Sequence, residues 1–244
     1  GRSSEYAIAI NPDDADGLLS KANSLLSLDN NEGALPYFEK YSEKRPDDEY
    51  GYLHQGTCLI NLGRYEEAVT VLKKAEELAD KNSQYLPEIC QEMAFAYSEL
   101  KQPDQAVDYL DKTKDMDCDH INMLIIKGHV YLTNGNKDEA EKAFKEALIQ
   151  SDNSPKVMLR IIVSLYDNKY MQSSYTLLKN FFNYIVDDDW KDGYSYMALC
   201  CLDMKKNDEC LHYLKLACEK KPKEARMVLA SYFPENREPK DYYA

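Results

Sequence analysis

The chain has 244 residues, 43 acidic and 30 basic, for a formal net charge of −13. That balance excludes binding to nucleic acid through phosphate contacts, which need a basic face. With 44% apolar residues but only nine glycines and nine prolines, the composition supports a continuous helical core and leaves little room for a turn-rich β fold.

In chain order, one 14-residue phrase recurs six times: LDNNEGALPYFEKY (28–41), LGRYEEAVTVLKKA (62–75), LKQPDQAVDYLDKT (100–113), NGNKDEAEKAFKEA (134–147), NKYMQSSYTLLKNF (168–181) and MKKNDECLHYLKLA (204–217). Each copy sets a small residue four positions before a large apolar one. The small residues are Ala34, Ala68, Ala106, Ala140, Ser174 and Cys210, so successive spacings are 34, 38, 34, 34 and 36. A period in this range marks a stacked-repeat architecture. Within each period, apolar residues fall at i, i+3, i+4 and i+7 over two stretches separated by a short break. The pattern predicts a pair of helices per repeat. Numbered 1 to 34, the units run 15–48, 49–82, 87–120, 121–154, 155–188 and 191–224, with 83–86 and 189–190 inserted. Acids in NPDDAD (11–16), RPDDE (45–49) and VDDDW (186–190) lie where helices would begin, and Lys40, Lys73, Lys74, Lys145, Lys220 and Lys221 lie toward helix ends. Both placements complement the helix dipole. Most of the charge pattern is thus structural, and the acidic surplus hints at a basic partner.

At these positions the chain resembles the tetratricopeptide repeat family. The family pattern sets a large apolar residue at position 4, small residues at 8, 20 and 27, bulk at 7, 11 and 24, and Pro at 32. The fourth unit carries Leu124, Gly128, Tyr131, Ala140, Phe144 and Ala147; the second Tyr52, Gly56, Leu59, Ala68, Leu72 and Ala75; the sixth Tyr194, Ala198, Cys201, Cys210, Leu214, Ala217 and Pro222. The fifth departs most, with Ile162 and Phe181 where small residues are expected and Ser174 at position 20. The pattern has a physical reading, in which small side chains stand where helices approach most closely and large ones fill the remaining space. The resemblance implies an all-α, right-handed superhelical solenoid of helix-turn-helix repeats. It also implies that residues 1–14, EYAIAINPDD within them, are the end of a preceding repeat, and hence that further repeats lie upstream. Residues 225–233 are expected to form a capping helix and 234–244 an exposed tail.

Catalytic signatures are missing. The four histidines show no His-x-x-x-His or His-Glu-x-x-His spacing, and no nucleophile elbow, phosphate loop or dinucleotide fingerprint occurs. DMDCDH (115–120) gathers carboxylates, a thiol and an imidazole, but it falls at a turn between repeats and reads as a helix-start cluster. No enzyme activity, metal or cofactor is expected. Seven cysteines without a Cys-x-x-Cys pair read as reduced, buried thiols, which favours a cytoplasmic location. No stretch approaches the roughly 18 apolar residues that membrane insertion requires.

What remains is a surface. In this family the first helix of each repeat lines a concave face, and positions 2, 5, 6, 9, 12 and 13 point into it. The resemblance therefore nominates Asn23, Leu53, His54, Thr57, Gln91, Phe95, Ile125, His129, Lys156, Arg160, Tyr166, Tyr196 and Leu199 as partner-binding residues, with Glu92, Ile126, Leu132 and others on the same face. Some family members grip a C-terminal carboxylate with a lysine- and asparagine-rich clamp. Here the corresponding positions of units three to five hold Gln91, Phe95, Ile126, Lys156 and Arg160, of which only the last two match. The expectation is a non-enzymatic module that lays a peptide or helix of another protein, with apolar anchors, in its groove. The alternatives are a self-associating scaffold and a regulatory or sensory segment of a larger protein.

Overall fold

The computed structural model describes residues 14–184 and 192–220, and every regular element among them is helical. In chain order these are α1 (Ala15–Ser27), α2 (Asn31–Lys44), α3 (Glu49–Asn61), α4 (Tyr65–Leu78), α5 (Leu86–Glu99) and α6 (Pro103–Asp111). The last runs into a 3-10 turn, Lys112–Asp115. Then follow α7 (His120–Thr133), α8 (Lys137–Gln150), α9 (Pro155–Asp167), α10 (Met171–Tyr184), α11 (Asp192–Asp203) and α12 (Asn207–Lys220). The expected remnant of a preceding repeat, the capping helix at 225–233 and the tail lie outside the described residues.

The helices start and stop for identifiable reasons. Asp14, Asn30, Asp48, Asp119 and Asn136 each accept a hydrogen bond from a backbone N–H two or three residues on, at 2.9 to 3.3 Å, which satisfies donors that a helix start leaves unpaired. Proline opens α6 and α9, where its missing N–H costs no hydrogen bond. At the other end, all six turns inside the hairpins place one residue in the left-handed region: Asp29, Gly63, Lys101, Gly135, Lys169 and Lys205, with φ between 58° and 82°. The next N–H in each turn bonds back to the carbonyl five residues earlier, as from Asn136 to Tyr131 at 2.8 Å and from Lys206 to Cys201 at 2.8 Å. This closure satisfies the last carbonyls and reverses the chain. Position 15 of the repeat is therefore a conformational constant, although only two of its six residues are glycine.

The chain divides into two compact units, 1–123 and 124–244, with the boundary inside α7. In the first, α1 packs on α2, α2 on α3, α3 on α4, α4 on α5 and α5 on α6, and the first helices of neighbouring hairpins, α3 and α5, also touch directly. In the second, α9 packs on α10, α10 on α11 and α11 on α12, and again the first helices α9 and α11 touch. Each unit is thus a stack of antiparallel hairpins whose first helices gather on the tighter side.

The core lies along the line where the two helices of a hairpin meet. Ala34, Ala68, Ala106, Ala140 and Ser174 are fully buried, and Cys210 is nearly so. Opposite the small residues stand the large ones. A Cβ added to Gly56 would come within 2.5 Å of the Leu72 side chain, and one on Gly128 within 2.3 Å of the Phe144 ring. The fifth repeat, which departs from the pattern in sequence, accommodates its bulk locally. Ile162 and Phe181 are both fully buried, the Ser174 hydroxyl bonds the Ile162 carbonyl at 3.4 Å, and Phe181 lies where Gly193 of α11 presents no side chain. The glycine in the next helix compensates for the phenylalanine.

Two kinds of glycine can therefore be told apart. Gly128→Ala is expected to lower stability by roughly 1–3 kcal/mol through overpacking, despite the better helix propensity of alanine. Gly135→Ala, whose new methyl meets no neighbour, should lose about 1 kcal/mol through its left-handed backbone alone. Lys101→Gly should gain a few tenths of a kcal/mol by the reverse logic. Denaturant melts report all three, and equal losses for the two alanine variants would contradict the packing explanation.

Candidate functional site

In unit 1 the tighter side is formed by α1, α3 and α5. Tyr50 of α3 spans it: its hydroxyl donates to Asn23 Oδ1 of α1 at 3.0 Å, and its ring lies 4.2 Å from that of His54 and 5.3 Å, edge on, from that of Tyr85. His54 also stacks on Phe38 of α2 at 5.5 Å. Further along, Gln91 of α5 accepts a hydrogen bond from Asn122 at 3.1 Å, and Phe95 is half-buried one turn on. Thr57 is half-buried, with its hydroxyl turned back to the Leu53 carbonyl at 3.3 Å. Asn23 and Gln91 thus serve as braces between helices, as well as facing the groove.

Leu53 and Ile125 correct the expectation. They are 0% and 4% exposed, and Ile126 and Leu132 are buried with them, so these side chains belong to the hairpin core. The reason is periodicity: positions 5 and 6 lie at the edge of the apolar stripe, and packing by the adjacent helix covers a large aliphatic group placed there.

In unit 2 the same side carries His129, Lys156, Arg160, Tyr166, Tyr196 and Leu199. The His129 Nδ1 and the Ser164 hydroxyl are 2.8 Å apart, and Thr133 donates to Asn168 at 3.2 Å, so α7 and α9 are tied by two polar contacts. Tyr166 and Tyr196 meet edge to face at 5.2 Å. Both are half-buried, as is Leu199, whereas Lys156 and Arg160 are exposed, one helical turn apart.

The electrostatics single out unit 1. Burial pushes the His54 imidazole down to about 4, so it is neutral at physiological pH, and its buried Nδ1 has no hydrogen-bond partner among the described residues. Burial pushes the Glu92 carboxyl up to about 7, with a smaller contribution from Glu88 one turn earlier. Glu88, an exposed residue in the first turn of α5, is itself raised by partial desolvation of its carboxyl. Neither glutamate meets a cation among the described residues. Glu92 lay on the predicted face but was not nominated as a site residue, because sequence shows a carboxylate without showing whether anything neutralises it. Tyr85 was missed altogether, since it falls in the 83–86 insertion. An aromatic residue in an otherwise polar spacer was the available signal.

Other titratable groups have ordinary explanations. Cys58 and Cys90 are raised to about 11 and Cys201 to about 12 by burial, which makes poor nucleophiles of them. In DMDCDH, Asp119 caps α7 and the Cys118 thiol bonds the Thr113 carbonyl at 3.7 Å. Among the described residues no three potential ligands gather to hold a metal ion, and no helix is long and apolar enough to cross a membrane.

Glu92 leaves a thermodynamic signature. Its folded-state pKa, about 7, lies above the ordinary glutamate value of 4.5, so the folded chain binds more protons than the unfolded one between these values. Stability from this group is therefore present at low pH and lost as pH rises toward about 7. Glu92→Gln should change little near pH 4.5 and raise stability by about 1 kcal/mol above about pH 8, a figure reduced for partial solvent screening. Thermal melts at both pH values test this. A destabilised variant at high pH would show that the carboxylate is held by a favourable interaction.

Comparison with known proteins gives a consistent picture. Tetratricopeptide repeat models match residues 19–83 and 121–148. BBSome complex member BBS4 of Bos taurus is 25% identical over 181 residues, 73% of this chain and 34% of that protein. The STIP1 homolog of Dictyostelium discoideum is 32% identical over 103 residues, 42% of this chain and 18% of that protein. The chain thus spans about a third of the first and less than a fifth of the second. Among solved structures, the type IV pilus biogenesis factor PilW superposes with a TM-score of 0.63 at 14% identity, covering 94% of this chain and 98% of that one. The anaphase-promoting complex hetero-tetramer Cut9–Hcn1 gives 0.61 at 16% identity, covering 94% and 45%. At these identities the likeness is one of fold.

Proposed function

This chain is a tetratricopeptide repeat protein, and from that premise we propose that it works without catalysis, presenting the inner helix faces of its hairpins to a peptide or helix of another protein. Repeats of this kind typically serve as interaction modules, and both sequence relatives extend well beyond the stretch that matches this chain. The observation that carries the reading is the set of half-buried aromatic residues on these faces. Phe95 and Tyr85 in unit 1, and Tyr166 and Tyr196 in unit 2, retain accessible ring surface where core packing does not require it. Such surface, rimmed by polar groups, favours a partner with apolar anchors.

A second reading has an observation of its own. One relative is named as a member of a multi-subunit complex, and this chain spans only part of it. That supports a role as one segment of a larger assembling protein, with the groove serving a neighbouring subunit. The buried, weakly acidic thiols suit a reducing compartment, consistent with a cytoplasmic setting.

The deciding experiment compares binding partners of wild type with those of a Phe95→Ala, Tyr196→Ala variant that retains its helical circular dichroism and its mass in solution. A partner held by wild type and weakened at least tenfold by the variant is expected, since truncating an aromatic anchor removes roughly 2 kcal/mol or more. An unchanged set of partners would remove the inner faces from consideration. A mass that rises with concentration for wild type alone would favour self-association.

A further inference from the structure

The acidic residues of this chain fall into two populations. Several have structural employment. Asp14, Asp48 and Asp119 cap helices, Glu67 pairs with Arg64 at 2.6 Å, Glu139 with Lys142 at 2.8 Å, and Glu49 accepts from Ser83 at 2.8 Å. Glu92 differs. It sits in the middle of α5, away from either helix end, on the face flanked by Phe95 and Gln91, with Glu88 one turn before it and no cation from its own unit. His54 occupies the same position of the preceding repeat, on α3, which packs directly against α5. Its Nδ1 is buried and has no hydrogen-bond partner among the described residues.

We propose that the groove of unit 1 receives a partner polypeptide that inserts a lysine or arginine side chain between apolar anchors, its cationic head lodged at Glu92 and Glu88. This rests on the reading of the inner face as the working surface and adds the chemistry of what that surface selects. A half-buried carboxylate without a counter-charge from its own unit costs the folded chain stability, and a protein partner's cation removes that penalty on binding. An ammonium or guanidinium group donates several hydrogen bonds while neutralising two carboxylates. The alkyl stem of such a side chain covers apolar surface such as that of Phe95 and the Tyr50 and Tyr85 rings. Charge complementarity supports the same occupant, because a chain of net charge −13 draws basic segments toward it before contact.

The test selects binders from a random peptide library on the whole chain and measures the affinities of the enriched peptides for wild type, Glu92→Gln, Glu88→Gln and Phe95→Ala. Lysine or arginine enriched beside apolar residues is expected. Glu92→Gln should then weaken binding about 10- to 100-fold, the range for a hydrogen bond to a charged group, and affinity should fall as salt rises. Replacing the basic residue of the peptide by its neutral counterpart should remove the difference between wild type and Glu92→Gln. Melting curves of each variant separate lost binding from lost folding. If Phe95→Ala abolishes binding while Glu92→Gln does not, or if the selected peptides carry no basic residue, the charge proposal fails and the groove stands. Should Phe95→Ala leave affinity untouched, or the library yield no binder, the groove reading falls and this inference with it.

Discussion

The fold depends on one steric relation, the placing of a residue with almost no side chain against a large one across the hairpin, from which only the fifth repeat departs. Gly128 under Phe144 and Gly56 under Leu72 state it most plainly, and the buried small residues at the start of every second helix extend it through the chain. Helices can approach this closely only where a side chain is missing, and the approach creates the pocket that the large residue fills. Once that contact is set, hairpin spacing is set, and the next hairpin meets a surface of known shape. A repeated local contact therefore suffices to build each unit of the chain, because every hairpin needs to recognise only its neighbours.

That relation was legible in the sequence because it is expressed in residue types. Ala140 followed by Phe144, and Ala68 by Leu72, show the knob and its hole in the bare letters. Where the relation is shared between helices of different hairpins, the letters mislead. Phe181 reads as an error in its own repeat, and becomes sensible only beside Gly193. The turns show the opposite limit. Position 15 is left-handed in all six hairpins, yet it holds Asp29, Gly63, Lys101, Gly135, Lys169 and Lys205. The hydrogen bonds that close each turn over-determine the backbone, so aspartate and lysine tolerate a conformation that residue preference alone assigns to glycine. Likewise, the shortening of α6 into a 3-10 turn at Lys112–Asp115 has no mark in the apolar period. It is fixed by Thr113, whose hydroxyl bonds the Leu110 carbonyl at 2.6 Å from a buried site.

The candidate surface was legible only as a set of positions. Knowing which helix face turns inward distinguishes Phe95, Tyr166 and Tyr196, which keep accessible surface, neither from Leu53 and Ile125, which are core, nor from Asn23 and Gln91, which brace adjacent helices. The difference lies in side-chain length and in what the neighbouring helix presents. The informative groups on this face are those whose surroundings contradict their chemistry, a half-buried carboxylate that meets no cation and an imidazole whose buried Nδ1 has no hydrogen-bond partner among the described residues. Burial and pairing are properties of the assembled unit, so a one-dimensional pattern does not carry them.

The repeat thereby separates two tasks that most folds entangle. Position 20 holds only alanine, serine or cysteine because it is buried where the two helices approach most closely. Position 6 of the first helix faces the inner side and holds Ser20, His54, Glu92, Ile126, Arg160 and Tyr196, a hydroxyl, an imidazole, an acid, an alkyl group, a base and a phenol. One backbone location thus carries six chemistries in six repeats at nearly constant geometry. Where the residue is apolar, as Ile126 is, it is absorbed into the core. Where it is polar and left without a partner, as with Glu92, the scaffold bears an energetic penalty that its own contacts do not relieve. A scaffold whose stability comes from many equivalent hairpin contacts can bear such a penalty at one position and still fold, which leaves that position free to be chosen by what it binds.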